Sequence, residues 1–212
     1  MIAPGAGSGV TLTSLIHEKW RYDLGDGAWL IYEKSWLDPA AFKTLRECLA
    51  WKQESVRMMG REIPMPRLTA WYGDPGAVYT YAGRTFEPLP WTPELRAIQS
   101  RLAHEEGIET NSCLCNLYRN GRDSIGLHAD DERELGPLPQ IASVSLGSTR
   151  RFVLRQKGCK VEVTLGAGDL LIMGGTTQQN WKHEIPKTAA QVGERVNLTF
   201  RLIRHHPRLV RP

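Results

Sequence analysis

Arg195-Val196-Asn197-Leu198-Thr199-Phe200-Arg201-Leu202 alternates polar and apolar residues without a break. A period of two is the signature of a β-strand, because successive side chains point to opposite faces. Val196, Leu198, Phe200 and Leu202 share one face, whose expected place is the core between two sheets. Arg195, Asn197, Thr199 and Arg201 share the other. Taken alone, that polar face reads as the solvated side of an edge strand. Two guanidiniums and two small hydrogen-bonding groups in line also make a cradle for a dicarboxylate, since the planar arginine fork binds carboxylates bidentately and stays charged.

Upstream, the pattern from residue 111 onward repeats at short range. Strands are expected at 113–118, 125–130, 141–146, 151–155, 161–165, 170–173, 181–185 and 195–203, with a turn at Asn120-Gly121. Short strands with Gly and Pro turns indicate a barrel or sandwich. Before residue 111 the chain is mixed. Residues 28–36 read as a strand. Asp38-Pro39 starts a helix expected over 39–54, with Phe42, Leu45 and Leu49 on one face. Residues 68–72 and 77–81 read as strands joined through Gly73-Asp74-Pro75-Gly76. Thr92-Pro93 opens a second helix carrying Leu95, Ile98 and Leu102. The fold class is mainly β (α+β): a jelly-roll core over 111–203 and an N-terminal extension with helices over 14–110. A flexible N-terminus (1–13) and a basic tail (204–212) flank this one structural unit.

The 212 residues suffice for one domain with a sizeable core. A net charge of +4 is compatible with a polyanionic partner without requiring one. The four cysteines form no Cys-x-x-Cys, which argues against a zinc ribbon or a thioredoxin-like motif. They are read as reduced and the protein as intracellular, in the cytoplasm and nucleoid or in a nucleus. The first residues lack the basic and apolar regions of a signal peptide, and no run of about 18 apolar residues is present, so no membrane association is expected.

The chemistry is concentrated in His128-Ala129-Asp130. On a strand these two side chains share a face and can offer a metal one imidazole nitrogen and one carboxylate oxygen. Of the remaining histidines only His183 falls on a predicted strand downstream. His128, Asp130 and His183 would form a two-histidine-one-carboxylate triad, which requires two strands of one sheet system to face each other, as at the open end of a jelly roll. That triad suits Fe(II) oxygenases. Asn116 and Tyr118 share a face and add donors to the Arg195–Arg201 wall, so a chelating acid is expected as cosubstrate. Met58-Met59-Gly60, between Arg57 and Arg61, reads as a hairpin tip or exposed loop packed by methionine. An apolar wedge for a base stack is the sharper reading. Tyr79 and Tyr81 share a face that suits sheet packing or base stacking.

These blocks, Asn116-x-Tyr118, His128-x-Asp130, His183 and Arg195-x-Asn197-x-Thr199-x-Arg201, resemble the AlkB family of Fe(II)/2-oxoglutarate dioxygenases in order and spacing. The resemblance covers roughly residues 55–203 and is closest to the homologue acting on double-stranded DNA, through His128-Ala-Asp-Asp-Glu-Arg-Glu134, Tyr72-Gly-Asp74 and Tyr79-Thr-Tyr81. It implies a double-stranded β-helix core with a nucleotide-recognition extension. It implies Fe(II) on His128, Asp130 and His183, with O2 as co-reactant. It places 2-oxoglutarate among Asn116, Tyr118, Arg195, Asn197, Thr199 and Arg201, without assigning either carboxylate to either arginine. Tyr81 would stack on a flipped base, Asp131 and Glu132 would lie near its polar edge, and Tyr79 would contact the strand. Met58, Met59 and Gly60 stand where that homologue carries an aromatic finger. The departure to methionine puts duplex preference in question.

The implied activity is oxidative removal of N-methyl groups from bases in DNA, by a monomer, with release of formaldehyde, succinate and CO2. Arg57, Arg61, Arg67, Arg84 and Arg122 are candidates for backbone contacts. Methylated RNA, a protein side chain, a non-catalytic metal-binding jelly roll and a zinc hydrolase are the alternatives.

Overall fold

In a computed structural model of the chain, residues 18–58, 61–81 and 84–204 are described, with the side chains of 56–58, 79–81 and 84–86 outside the description. The strands are β1 (Lys19–Gly25), β2 (Ala28–Glu33), β3 (Ser55–Met58), β4 (Arg61–Pro64), β5 (Leu68–Gly73), β6 (Tyr79–Tyr81), β7 (Arg84–Phe86) and β8 (Ser112–Tyr118). After them come β9 (Ile125–His128), β10 (Ile141–Gly147), β11 (Arg150–Gln156), β12 (Cys159–Leu165), β13 (Leu170–Gly175), β14 (Lys182–Ile185) and β15 (Arg195–Arg201). The helices are α1 (Ala41–Cys48), α2 (Pro93–Glu106) and the short α3 (Thr177–Asn180).

A seven-stranded sheet in the order β1-β2-β13-β10-β15-β8-β5 faces a four-stranded sheet in the order β12-β11-β14-β9. All their ladders are antiparallel. Three strands of the larger sheet, β1, β2 and β5, come from the N-terminal extension, so extension and core share one sheet.

β15 lies inside the sheet, paired with β10 on one side and β8 on the other, and all seven of its residues are buried. It is not an edge strand. Its apolar face does not fill the space between the sheets either. Val196, Leu198 and Phe200 join Leu45, Leu95, Ile98 and Leu102, so they pack beneath α1 and α2. A separate cluster, with Leu30, Leu171 and Met173 from one sheet and Phe152, Leu154 and Leu165 from the other, fills the sandwich. The polar face of β15 therefore points between the sheets. The helices explain the inversion: they offer an apolar stripe on the outer side, leaving the inner side for the site.

α2 begins as its sequence dictates. Thr92 Oγ1 accepts from Leu95 N at 3.3 Å, Pro93 opens the helix, and Gly107 closes it in the left-handed region at φ 65°. α1 is shorter than the expected 39–54. Asp38 Oδ1 accepts from Ala40 N at 2.9 Å, which spends Asp38-Pro39 on a turn ahead of the helix. Leu49 is extended at φ −83°, ψ 141°. The next residues are drawn to the sheet edge, where Lys52 and Thr69 exchange backbone hydrogen bonds of 2.8 and 2.9 Å.

The strands expected at 68–72 and 77–81 do not form a hairpin with each other. β5 pairs with β8, while β6 pairs locally with β7. β3 and β4 do form a hairpin, with Met58 opposite Arg61. β1 was not expected from the sequence. It pairs with β2 across Asp26 and Gly27, both at positive φ, a turn that matches strand twist. Cys48, Cys113, Cys115 and Cys159 are all free, in line with the reduced state expected of them.

Candidate active site

His128 is the last residue of β9, and His183 sits opposite it in the ladder with β14. The two histidines thus stand side by side on neighbouring strands of one sheet. Their ring centroids lie 4.3 Å apart. Asp130 lies just past the end of β9 and points back to them. Its Oδ1 is 3.9 Å from His128 Nε2 and its Oδ2 is 4.0 Å from His183 Nε2. All three ligand atoms fall within 4.8 Å of one another. The two measured separations are under twice a metal–nitrogen bond of about 2.1 Å, so one ion can reach all three.

The surroundings prepare each ligand. His128 Nδ1 lies 2.8 Å from the Gly126 carbonyl, which can only accept. That contact places the proton on Nδ1 and leaves Nε2 free to bind metal. His183 is nine-tenths buried and stacked on Phe152, with centroids 5.2 Å apart. Burial pushes its imidazole down to about 3, with His128 adding to the effect and Asp130 opposing it. Burial alone would raise the Asp130 carboxyl, but Arg201 Nη2 at 2.7 Å, with the two histidines, outweighs it and holds the group at about 2. At neutral pH the site therefore presents the neutral imidazole of His183 and the Asp130 carboxylate beside the Nε2 of His128, the donor set of an Fe(II) centre.

The depressed His183 value has a consequence for the metal-free protein. Between about 6.5 and 3 the unfolded chain takes up a proton that the folded chain refuses, so stability is complete above 6.5 and is lost as pH falls through that window. From pH 7 to pH 5 the loss from this group is about 2 kcal/mol. Urea midpoints at the two pH values measure it. His183→Asn should flatten that dependence, and an unchanged acid limb would contradict the assignment.

A pocket of about 150 Å³ opens between the sheets beside the triad. It is lined by Asn116, Tyr118, Arg195, Asn197, Thr199 and Arg201, together with His128, Asp130 and His183. All the residues expected for metal and cosubstrate are thus brought to one cavity. Arg201 is committed to Asp130. Arg195 is almost wholly buried, and its Nη2 donates to Ser145 Oγ at 2.8 Å. Among the described residues, its buried Nε and Nη1 have no hydrogen-bond partner of good geometry. Tyr118 lies between Arg195 and Arg150, with its ring centroid 5.1 and 5.6 Å from their Cζ atoms. Burial pushes the Arg195 guanidinium down to about 10, and Tyr118 counters it. It remains charged at neutral pH. A buried cation with two donors to spare fits an anionic ligand group. Asn197 and Thr199 shape the wall: Asn197 donates to Ser143 Oγ at 2.8 Å and accepts from Thr199 Oγ1 at 3.1 Å.

Some residues in the cavity were not found from the sequence. Arg67, expected at the surface as a backbone contact, is buried, and its Nε donates to Asn116 Oδ1 at 2.7 Å. That leaves the Asn116 amide nitrogen as the donor it can offer a ligand. Phe152, Trp71, Leu114 and Ile125 supply the apolar lining. Gln178 Oε1 accepts from the Asp130 backbone N–H at 3.0 Å. The period-two pattern of β11 marks Phe152 as inward-facing. Nothing in the sequence around Arg67 or Gln178 marks either.

On the substrate side, Asp131 is exposed and Glu132 half-buried in the loop after Asp130, and neither lines the cavity. Arg61 and Arg122 are exposed. Met59 and Gly60 lie outside the described residues, as do the side chains of Met58, Tyr79 and Tyr81.

Residues 33–201 match the family model of the 2OG-Fe(II) oxygenase superfamily. The alpha-ketoglutarate-dependent dioxygenase alkB homolog 3 of Homo sapiens is 41% identical over 190 residues, covering 84% of this chain and 64% of that protein. The DNA oxidative demethylase ALKBH2 of Homo sapiens is 41% identical over 158 residues, 70% of this chain and 60% of that protein. The chain spans under two thirds of the length of both. The Arabidopsis thaliana ALKBH2 is 34% identical, covering 85% of this chain and 68% of that protein. The solved structure of OsALKBH1 matches the fold with a TM-score of 0.57 at 17% identity, covering 82% of this chain and 96% of that one. Fe(II) and 2-oxoglutarate, named by the superfamily, fit the triad and the orphaned Arg195 donors. The chain belongs to the AlkB family of 2OG-Fe(II) oxygenases.

Proposed function

We propose that this protein oxidatively demethylates N-alkylated bases in DNA, of the 1-methyladenine and 3-methylcytosine type, releasing formaldehyde, succinate and CO2. The observation that carries the reading is the meeting, in one pocket, of the His128–Asp130–His183 cluster and a buried arginine with unused donors. Bound iron, with 2-oxoglutarate as electron source, supplies the activation of O2 and the oxidation of the methyl group.

The protein's own groups do the rest. Gly126 fixes the His128 tautomer, and Arg201 keeps Asp130 ionised. Arg195, a buried cation on the pocket wall, would hold a carboxylate of 2-oxoglutarate. The Asn116 amide adds a donor oriented by Arg67. Trp71, Leu114, Ile125 and Phe152 keep bulk water from the reacting groups. The target base has to leave its stack to reach a centre this buried, and a methylated Watson–Crick edge lowers the cost of leaving. Tyr81 stacks on that base, Tyr79 contacts its strand, and Asp131 and Glu132 face its polar edge from the loop outside the cavity. Exposed Arg61 and Arg122 contribute phosphate contacts, which weaken with salt. The protein acts as an intracellular monomer.

The test is formaldehyde release, dependent on Fe(II) and 2-oxoglutarate, from matched methylated oligonucleotides: single-stranded DNA, duplex DNA and RNA. Turnover of DNA is the expected result. Turnover confined to RNA would reassign the substrate, and none on any nucleic acid would end the reading. Within the same panel, Met59→Ala is expected to reduce activity on duplex several-fold more than on single strands, because a wedge is needed only where a neighbour must be replaced. Equal losses would remove Met59 from that role.

A further inference from the structure

Two of the three metal ligands are fixed by a strand ladder, and the third is not. β9 ends at His128, so Asp130 has no ladder partner on either side. Its carboxylate is held from one direction by Arg201. Among the described residues, its backbone is held by one side chain from elsewhere in the fold, Gln178, whose Oε1 accepts the Asp130 N–H at 3.0 Å across a sequence separation of 48. A peptide N–H can only donate, so the amide orientation of Gln178 is settled: oxygen toward Asp130, nitrogen toward Met173 Sδ, 3.5 Å away.

Gln178 is itself placed with care. It is buried in α3, the four-residue helix between β13 and β14. Thr177 ties that helix down: its hydroxyl donates to the Gly174 carbonyl at 2.6 Å and accepts from Trp29 N at 3.1 Å. Trp181 N bonds back to Thr177 O at 2.9 Å, and β14 with His183 begins at the next residue. The same turn of chain thus grips the Asp130 loop and launches the strand of the third ligand.

We infer that Gln178 is a positioning residue for the metal centre, which sets where the Asp130 carboxylate stands relative to His183. The inference rests on the metal assignment of the triad. Partners that orient a ligand from behind typically account for 10–100-fold in metal affinity.

The probe is Co(II), titrated into the metal-free 212-residue chain and read by its visible d–d bands. Wild type is expected to bind one equivalent; no binding there would refute the metal assignment itself and not the role of Gln178. Gln178→Leu, which removes the acceptor and nearly keeps the volume, is expected to weaken Co(II) binding 10–100-fold and to shift the bands. Gln178→Glu restores an acceptor oxygen and should return affinity to within about threefold of wild type. Thr177→Val loosens the same helix but leaves the Gln178 acceptor in place, and should cost clearly less affinity than Gln178→Leu while lowering the thermal midpoint. Should Gln178→Leu fail to fold, Gln178→Asn, one methylene short of the Asp130 N–H, carries the same test. Wild-type affinity in the acceptor-deleted variant overturns the inference. So does a Glu variant as weak as the Leu variant, or an equal loss in Thr177→Val.

Discussion

Asp130→Ala is expected to lose both metal binding and turnover, with 2-oxoglutarate consumption reduced at least about a thousandfold. The effect should not stop at the reaction. Asp130 Oδ1 is the acceptor 2.7 Å from Arg201 Nη2, and both side chains are buried. Removing one member of a buried pair leaves the other charged and desolvated, at a cost of about 3–5 kcal/mol. The metal-free variant should therefore unfold at much lower urea. His128→Ala makes the contrast. Its side chain is partly exposed, so it should abolish turnover while leaving most of the stability intact. Succinate formation and urea midpoints, measured on both variants, give the check. Retained turnover in either would sink the triad, and an unchanged midpoint for Asp130→Ala would sink the ion-pair argument.

The second large effect concerns Arg195, and here activity and stability should part company. Arg195→Met removes a buried cation that has no acidic side chain among its hydrogen-bond partners. Truncating one partner of a buried charged contact costs about 2–5 kcal/mol of binding. The KM for 2-oxoglutarate should accordingly rise about a hundredfold or more. Without 2-oxoglutarate the same replacement relieves an unpaired buried charge, and similar exchanges are often stabilising by about 1–4 kcal/mol. A higher Tm together with a far higher 2-oxoglutarate requirement is the expected signature. A saturation curve like that of wild type would show that the anion is held elsewhere.

The degree to which this site was legible in the sequence follows from what kind of information each residue carries. The alternation in β15 and the spacing His128-x-Asp130 are local patterns, and local patterns survive without the fold. They delivered both the strand and the ligands. The direction in which β15 faces is different. It depends on α1 and α2 lying across the sheet, and nothing in the strand itself says which face meets helices. The apolar face was accordingly expected between the sheets and is found outside them. Arg67 shows the same limit. Flanked by Pro66 and a strand, it has the sequence context of a surface loop, and only the pairing of β5 with β8 brings it against Asn116. α1 stopped early for a comparable reason, because the sheet edge claimed Lys52. β1 is the exception, since its Asp26-Gly27 turn with flanking aromatic residues is itself a local hairpin signal.

β9 is the outermost strand of the smaller sheet, four residues long, with a shift of register between its two recorded pairs with β14. Such a strand is weakly fastened by its backbone. Yet His128 and His183, the pair that stands at one end of this ladder, both bring their Nε2 atoms to within about 4 Å of the Asp130 carboxylate, where one ion would join them. Filling the metal site therefore adds a side-chain rivet between the last strand and its neighbour. Iron content should then affect how long the protein survives a protease as well as how fast it works.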